Sequence, residues 1–83
     1  EPLLAAVADN EKDHQARFDL ALALGAAGRN LEGVEQLLEI VRRDRAWKDD
    51  GARKQLLQFF EAFGAEDETT IEGRRQLSLI LFS

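Results

Sequence analysis

His14 is the single histidine of the chain, and cysteine is absent. Acid–base or nucleophilic catalysis needs a base within reach of a nucleophile, and no Ser, Cys or Asp stands at a distinctive spacing from His14. It falls at the expected start of a helix and reads as a solvated residue. Without cysteine there is no disulfide framework, no thiol chemistry and no Cys-based metal site. The acidic runs Asp9 to Asp13 and Glu66 to Glu68 lack the alternating oxygens and glycine of a calcium loop, and read as helix caps and solubilising charge. Trp47 stands just before an expected helix cap, where a staple-like anchor folded back on the protein is a simpler role than ligand stacking. No cofactor and no metal is expected, and an enzyme is the poorest supported reading.

The elements that carry these residues are helical. A single proline, Pro2, leaves the rest of the 83 residues free to coil, and Leu, Ala, Glu, Arg and Gln dominate the remainder. A 45% hydrophobic fraction argues against wholesale disorder, and 33% charged residues argue against a membrane span. Sixteen acids against eleven bases give a net charge of −5, a sign that opposes phosphate contacts. Nucleic acid is therefore not an expected partner. The length allows one small domain, and the opening Glu1-Pro2-Leu3, without methionine, reads as part of something longer.

Five helical segments follow from start and stop signals. The first runs from about Pro2 to Ala8, and Asp13 can cap the second, about His14 to Ala27, which should stop at Gly28. Asn30 should cap the third, about Leu31 to Arg43, with Leu31, Val34, Leu37, Leu38 and Val41 as its apolar stripe. Arg42, Arg43 and Arg45 suit that helix's negative end. Asp49 or Asp50 should cap the fourth, with Ala52, Leu56, Phe59, Phe60 and Phe63 on one side and a stop at Gly64. The fifth begins between Asp67 and Thr70, where Thr69 and Glu72 have capping-box spacing, and continues to about Phe82. Links this short require antiparallel hairpins. Glycine inside a helix costs about 0.5–1 kcal/mol, so Gly33, with Ala21 opposite it, and Gly73 should mark close helix crossings.

Two stretches repeat at an offset of 36 residues: Ala16, Arg17, Leu20, Leu24, Ala26 and Gly28 recur as Ala52, Arg53, Leu56, Phe60, Ala62 and Gly64. Helical units repeating at such a period form stacked arrays whose usual work is protein binding. Leu20, Ala21, Leu24, Gly28, Gly33, Leu37 and Asp44 together resemble a tetratricopeptide repeat. Arg17 stands where that family often has an aromatic residue, and Arg45 where it has a closing proline.

A more specific resemblance spans nearly the whole chain. The runs Ala16 to Leu24, Leu37 to Asp44, Ala52 to Leu57 and Arg74 to Ser78 resemble the C-terminal tetratricopeptide-like region of bacterial thioredoxin-like co-chaperones of the YbbN type. That resemblance implies an N-terminal thioredoxin-like domain elsewhere in the same chain and a cytoplasmic location. It also implies the holding of unfolded clients and docking to chaperonin or other chaperones. Any redox chemistry would belong to the thioredoxin-like domain.

In the family register, Phe18, Leu22 and Gly25 face the groove lined by first helices, and Lys54, Gln58 and Glu61 are their counterparts. That pairing suits an amphipathic or extended apolar segment. The small size of the array favours the alternative, in which Phe18 and Leu22 are covered. A carboxylate clamp is disfavoured because Phe18 and Leu22 occupy its positions. The last helix is apolar on nearly every side, so it closes the core or offers a docking surface. Leu77, Ile80 and Leu81 are assigned to the core, and Leu79 and Phe82 to partner contact.

The expectation is an all-α, tetratricopeptide-like array of antiparallel helix hairpins acting as a protein–protein interaction module of a co-chaperone. The alternative is a generic helical scaffold or dimerisation domain.

Overall fold

The computed structural model describes residues 14–82. Among them are four helices, α1 (His14–Ala26), α2 (Asn30–Arg43), α3 (Gly51–Phe63) and α4 (Glu68–Phe82), and no strand. The chain is thus all-α, with four helices described where about five are expected. The segment expected at Pro2 to Ala8 and the Asp13 cap lie outside the described residues.

The stop after α1 follows from Gly28. Its φ of 82° puts it in the left-handed region, where a side chain would be strained. The Gly28 N–H then donates to the Gly25 carbonyl at 3.1 Å and the Arg29 N–H to the Leu24 carbonyl at 2.9 Å. Both bonds of a Schellman turn are present, and the chain reverses directly into α2.

α1 starts at His14 and α4 at Glu68, within the expected bounds, but the capping differs from that expected. Asn30 is the first residue of α2, not its cap; Arg29 holds the cap position without a side-chain bond, and its guanidinium turns to Glu32. Asp50 does take the cap position of α3, but left-handed at φ 64° and without a side-chain capping bond; its carboxylate approaches Arg53 at 3.6 Å instead. Lys48 and Asp49 precede it at φ 50° and 57°, so three consecutive residues form a left-handed turn. In α4 the cap is Asp67, whose carboxylate accepts the Thr69 N–H at 2.8 Å. The capping box of Thr69 and Glu72 does not form, because Glu72 is engaged by Arg75 and Gln76. At α2 and α4 the cap position thus falls to Arg29 and Asp67 instead of the expected residues.

α2 is the central element and packs against α1, α3 and α4. This explains Ile40, fully buried yet absent from the single stripe expected for this helix: a helix touched on three sides needs more than one apolar face. Val34, Leu37, Leu38 and Val41 join it in the core with Ala21, Ala52, Leu56, Phe60 and Leu77. Leu31, assigned to the stripe, is 46% exposed. Phe59, Phe63, Ile80 and Leu81 are half-buried against the core, while Ala16, Leu20 and Leu24 form a second small cluster.

Two glycines admit the close crossings. A Cβ on Gly33 would lie 2.9 Å from the Ala21 carbonyl oxygen, and one on Gly73 would lie 2.5 Å from Cε1 of Phe60. The repeated stretches sit on α1 and α3 and meet where Gly25 abuts the Phe59 ring. Thr70, fully buried at the start of α4, spends its hydroxyl on the Phe60 carbonyl at 3.4 Å. Arg45 crosses from the link after α2 to donate to the Ile80 carbonyl at 2.6 Å, satisfying an end carbonyl of α4 rather than of α2.

Candidate functional site

Phe18 is half-buried on the core rather than lining an open groove. Its ring lies 5.4 Å from that of Trp47, and the Lys48 ammonium stands 6.0 Å from its centroid. The cover therefore comes from the link between α2 and α3. Trp47 is the anchor expected of it, and it also holds His14 edge-on at 6.0 Å. His14 is accordingly half-buried, not solvated, and its Nδ1 finds no hydrogen-bond partner among the described residues. The ring is captured because α1 starts beneath the Trp47 link.

Leu22 on α1 and Lys54 and Gln58 on α3 are exposed. Lys54 approaches Asp49 at 3.9 Å, and no hydrogen bond or ion pair joins it or Gln58 to α1 among the described residues. Leu79 and Phe82 project from α4 at 54% and 87% exposure, while Leu77 is buried. The structure thus places these two exposed residues on one helix, separate from the α1–α3 positions.

A different feature was missed by sequence reasoning. Three depressions run between α2 and α4. The middle one, about 480 Å³, shares Leu31 and Glu72 with the first and Arg42 and Gln76 with the last. They form one continuous groove. Leu31 and Ile71 stand at its start, and Arg42, Arg45, Leu79 and Ile80 at its end. The starts of α2 and α4 lie together and so do their ends, which makes the two helices parallel, as the equivalent second helices of a repeat must be.

The groove is also polarised. Glu35 and Glu68 line its first part and are in no ion pair among the described residues. Glu39, midway, accepts from Arg43 and Arg42, and these bonds hold its carboxyl below the usual range against the opposing effect of partial burial. The Arg75 guanidinium, then Gln76, does the same for Glu72, and Glu72 in turn raises the pKa of Arg75. Arg17 reaches the groove wall from α1, 9% exposed, donating through Nη1 to Gln36 at 2.9 Å while its Nε has no partner among the described residues. The one signal that could have exposed the groove was Gly73, which brings α4 against Val34 of α2.

Among the described residues no group of three or more His, Asp or Glu side chains could hold a metal ion, and no helix is long and apolar enough to cross a membrane. Two antiparallel hairpins whose equivalent helices lie side by side define a helical-repeat protein. A tetratricopeptide repeat model matches residues 1–82, and the chain belongs to that family. Repeats of this kind generally mediate protein–protein interaction and are typically scaffolds rather than enzymes. Among curated proteins and solved structures nothing matches.

Proposed function

We propose that this chain is the protein-binding module of a cytoplasmic thioredoxin-like co-chaperone, where it holds unfolded clients and docks to chaperonin or other chaperones. The observation that carries the reading is the pair Leu79 and Phe82, large apolar side chains left in solvent near the end of the outward-facing side of α4. Apolar surface displayed on a folded scaffold attracts exposed apolar segments of other chains. The likeness of residues Ala16 to Leu24, Leu37 to Asp44, Ala52 to Leu57 and Arg74 to Ser78 to the co-chaperone family supports the same role, with a thioredoxin-like domain of the same chain as a neighbour.

Titration with a chemically unfolded client and with purified chaperonin tests this reading. Binding to either is expected, and Phe82→Asp should weaken it while circular dichroism stays unchanged, because that side chain contributes little to the core. A second reading, a scaffold that self-associates, is favoured by the alignment of Ile71, Leu79 and Phe82 along the outer side of α4. Concentration-dependent association in sedimentation, with neither client nor chaperonin bound, would decide for it.

A further inference from the structure

We propose that the groove between α2 and α4 receives an amphipathic helix of another protein. That helix carries two apolar side chains about two turns apart, a basic residue beside the first and an acidic residue beside the second. The inference rests only on the family's general role in protein binding, not on the co-chaperone reading.

Length and shape give the first argument. The apolar ends of the groove are marked by Ile71 and Leu79, eight residues apart on α4, which is about 12 Å along a helix axis. Leu31, beside Ile71, and Ile80, beside Leu79, complete the two ends. An incoming helix meets this spacing with residues i and i+7 or i+8. Both walls are helices whose backbone groups are already bonded internally. An extended segment would find no strand edge here and would leave its own N–H and C=O groups unpaired.

Charge gives the second argument. Glu68 stands at one end and Glu35 lines the middle depression, neither in an ion pair among the described residues, and Arg42 and Arg45 stand at the other end. Arg42 donates to Glu39 and Arg45 to the Ile80 carbonyl, which leaves further guanidinium donors on each. Acids near helix starts and bases near helix ends suit each helix by itself. Glu68 opens α4 while Arg42 and Arg45 come from the end of α2 and its link, so with the two helices parallel the groove has a negative and a positive end. A partner with the opposite polarity is attracted in one orientation and repelled in the other. The alternative face is less open: Trp47 and Lys48 already lie on Phe18.

The test uses the 83-residue chain and two synthetic helical peptides of identical composition. Both carry leucines two turns apart. In one the lysines sit at one end and the glutamates at the other; in the second they alternate. Fluorescence anisotropy should show at least tenfold tighter binding of the segregated peptide. Glu68→Lys should reduce that preference severalfold without unfolding the protein, since no ion pair holds Glu68 among the described residues. Arg42→Glu with Arg45→Glu should abolish it, and a peptide bearing lysines at both ends should restore binding to that double variant. If loss of the Arg45 bond unfolds the double variant, the Glu68→Lys measurement decides. Equal affinity for the two peptides, no binding of either, a preference unmoved by Glu68→Lys, or displacement of the peptide by self-association would overturn the proposal.

Discussion

The carbonyl oxygen of Ala21 lies only 2.9 Å from where the Cβ of any residue other than glycine at position 33 would sit. Gly33→Ala gains about 0.5–1 kcal/mol of helix propensity and loses about 1–3 kcal/mol to overpacking. The net effect expected is a lower melting temperature by circular dichroism, by roughly 4–8 °C per kcal/mol lost. Ala21→Gly should not rescue it, because the obstructing atom is backbone. A Gly33→Ala variant that melts higher than the parent would show that α1 and α2 cross less closely.

The left-handed turn at Lys48, Asp49 and Asp50 gives a second expectation. A left-handed residue with a side chain costs about 1–2 kcal/mol, and a β-branched one suffers most. Asp49 is fully exposed and approaches only Lys54, at 3.9 Å, among the described residues. Gly and Val both remove that contact, so the difference between them reports on the backbone. Asp49→Gly should match or exceed the parent in urea denaturation, and Asp49→Val should fall below it by about 1–2 kcal/mol. Equal midpoints for the two variants would place this turn in an ordinary conformation.

Arg17 and Gln36 should be thermodynamically coupled. Gln36→Leu leaves the buried Arg17 guanidinium without its acceptor and should cost about 1–3 kcal/mol. Arg17→Met removes the charge with most of the packing and should change stability by less than about 1 kcal/mol, or raise it. In the Arg17→Met background, Gln36→Leu should then cost little. A double-mutant cycle in urea measures the coupling, and simple additivity would mean that the pair is not formed.

Acid should weaken the fold through Glu39. Its folded pKa is depressed below the ordinary value of 4.5, chiefly by the Arg43 bond and then by Arg42. The stabilisation is therefore fully present above 4.5 and is lost as pH falls through the depressed value. Glu32 and Glu72, held by Arg29 and Arg75, shift in the same direction. Urea midpoints should stay level from neutral pH to about 5 and drop below it. Glu39→Gln should lower the neutral midpoint and shrink that acid drop; an unchanged drop would assign it to other carboxylates.

Much of the fold was legible in local signals. Gly28 stops α1 because its left-handed backbone is needed within the turn itself, and Gly33 and Gly73 mark crossings because a glycine inside a helix has no local justification. Period and composition were enough to place Leu77 inside and Phe82 outside. What the residues alone could not give was which neighbour covers each face. Ile40 is buried and Leu31 half in solvent because α2 sits between three other helices, an arrangement that the apolar stripe of one helix does not encode. Asn30, Asp50 and Thr69 had suitable chemistry for capping. Whether each side chain caps depends on backbone direction at the turn, which packing sets. The groove between α2 and α4 belongs wholly to tertiary structure: Ile71 and Leu31, or Arg45 and Ile80, become neighbours only when the second hairpin stacks on the first. Sequence determined the helices and most of their buried sides, because those follow from interactions within a few residues. The recognition surface was decided by stacking, because it consists of what two distant segments leave uncovered between them.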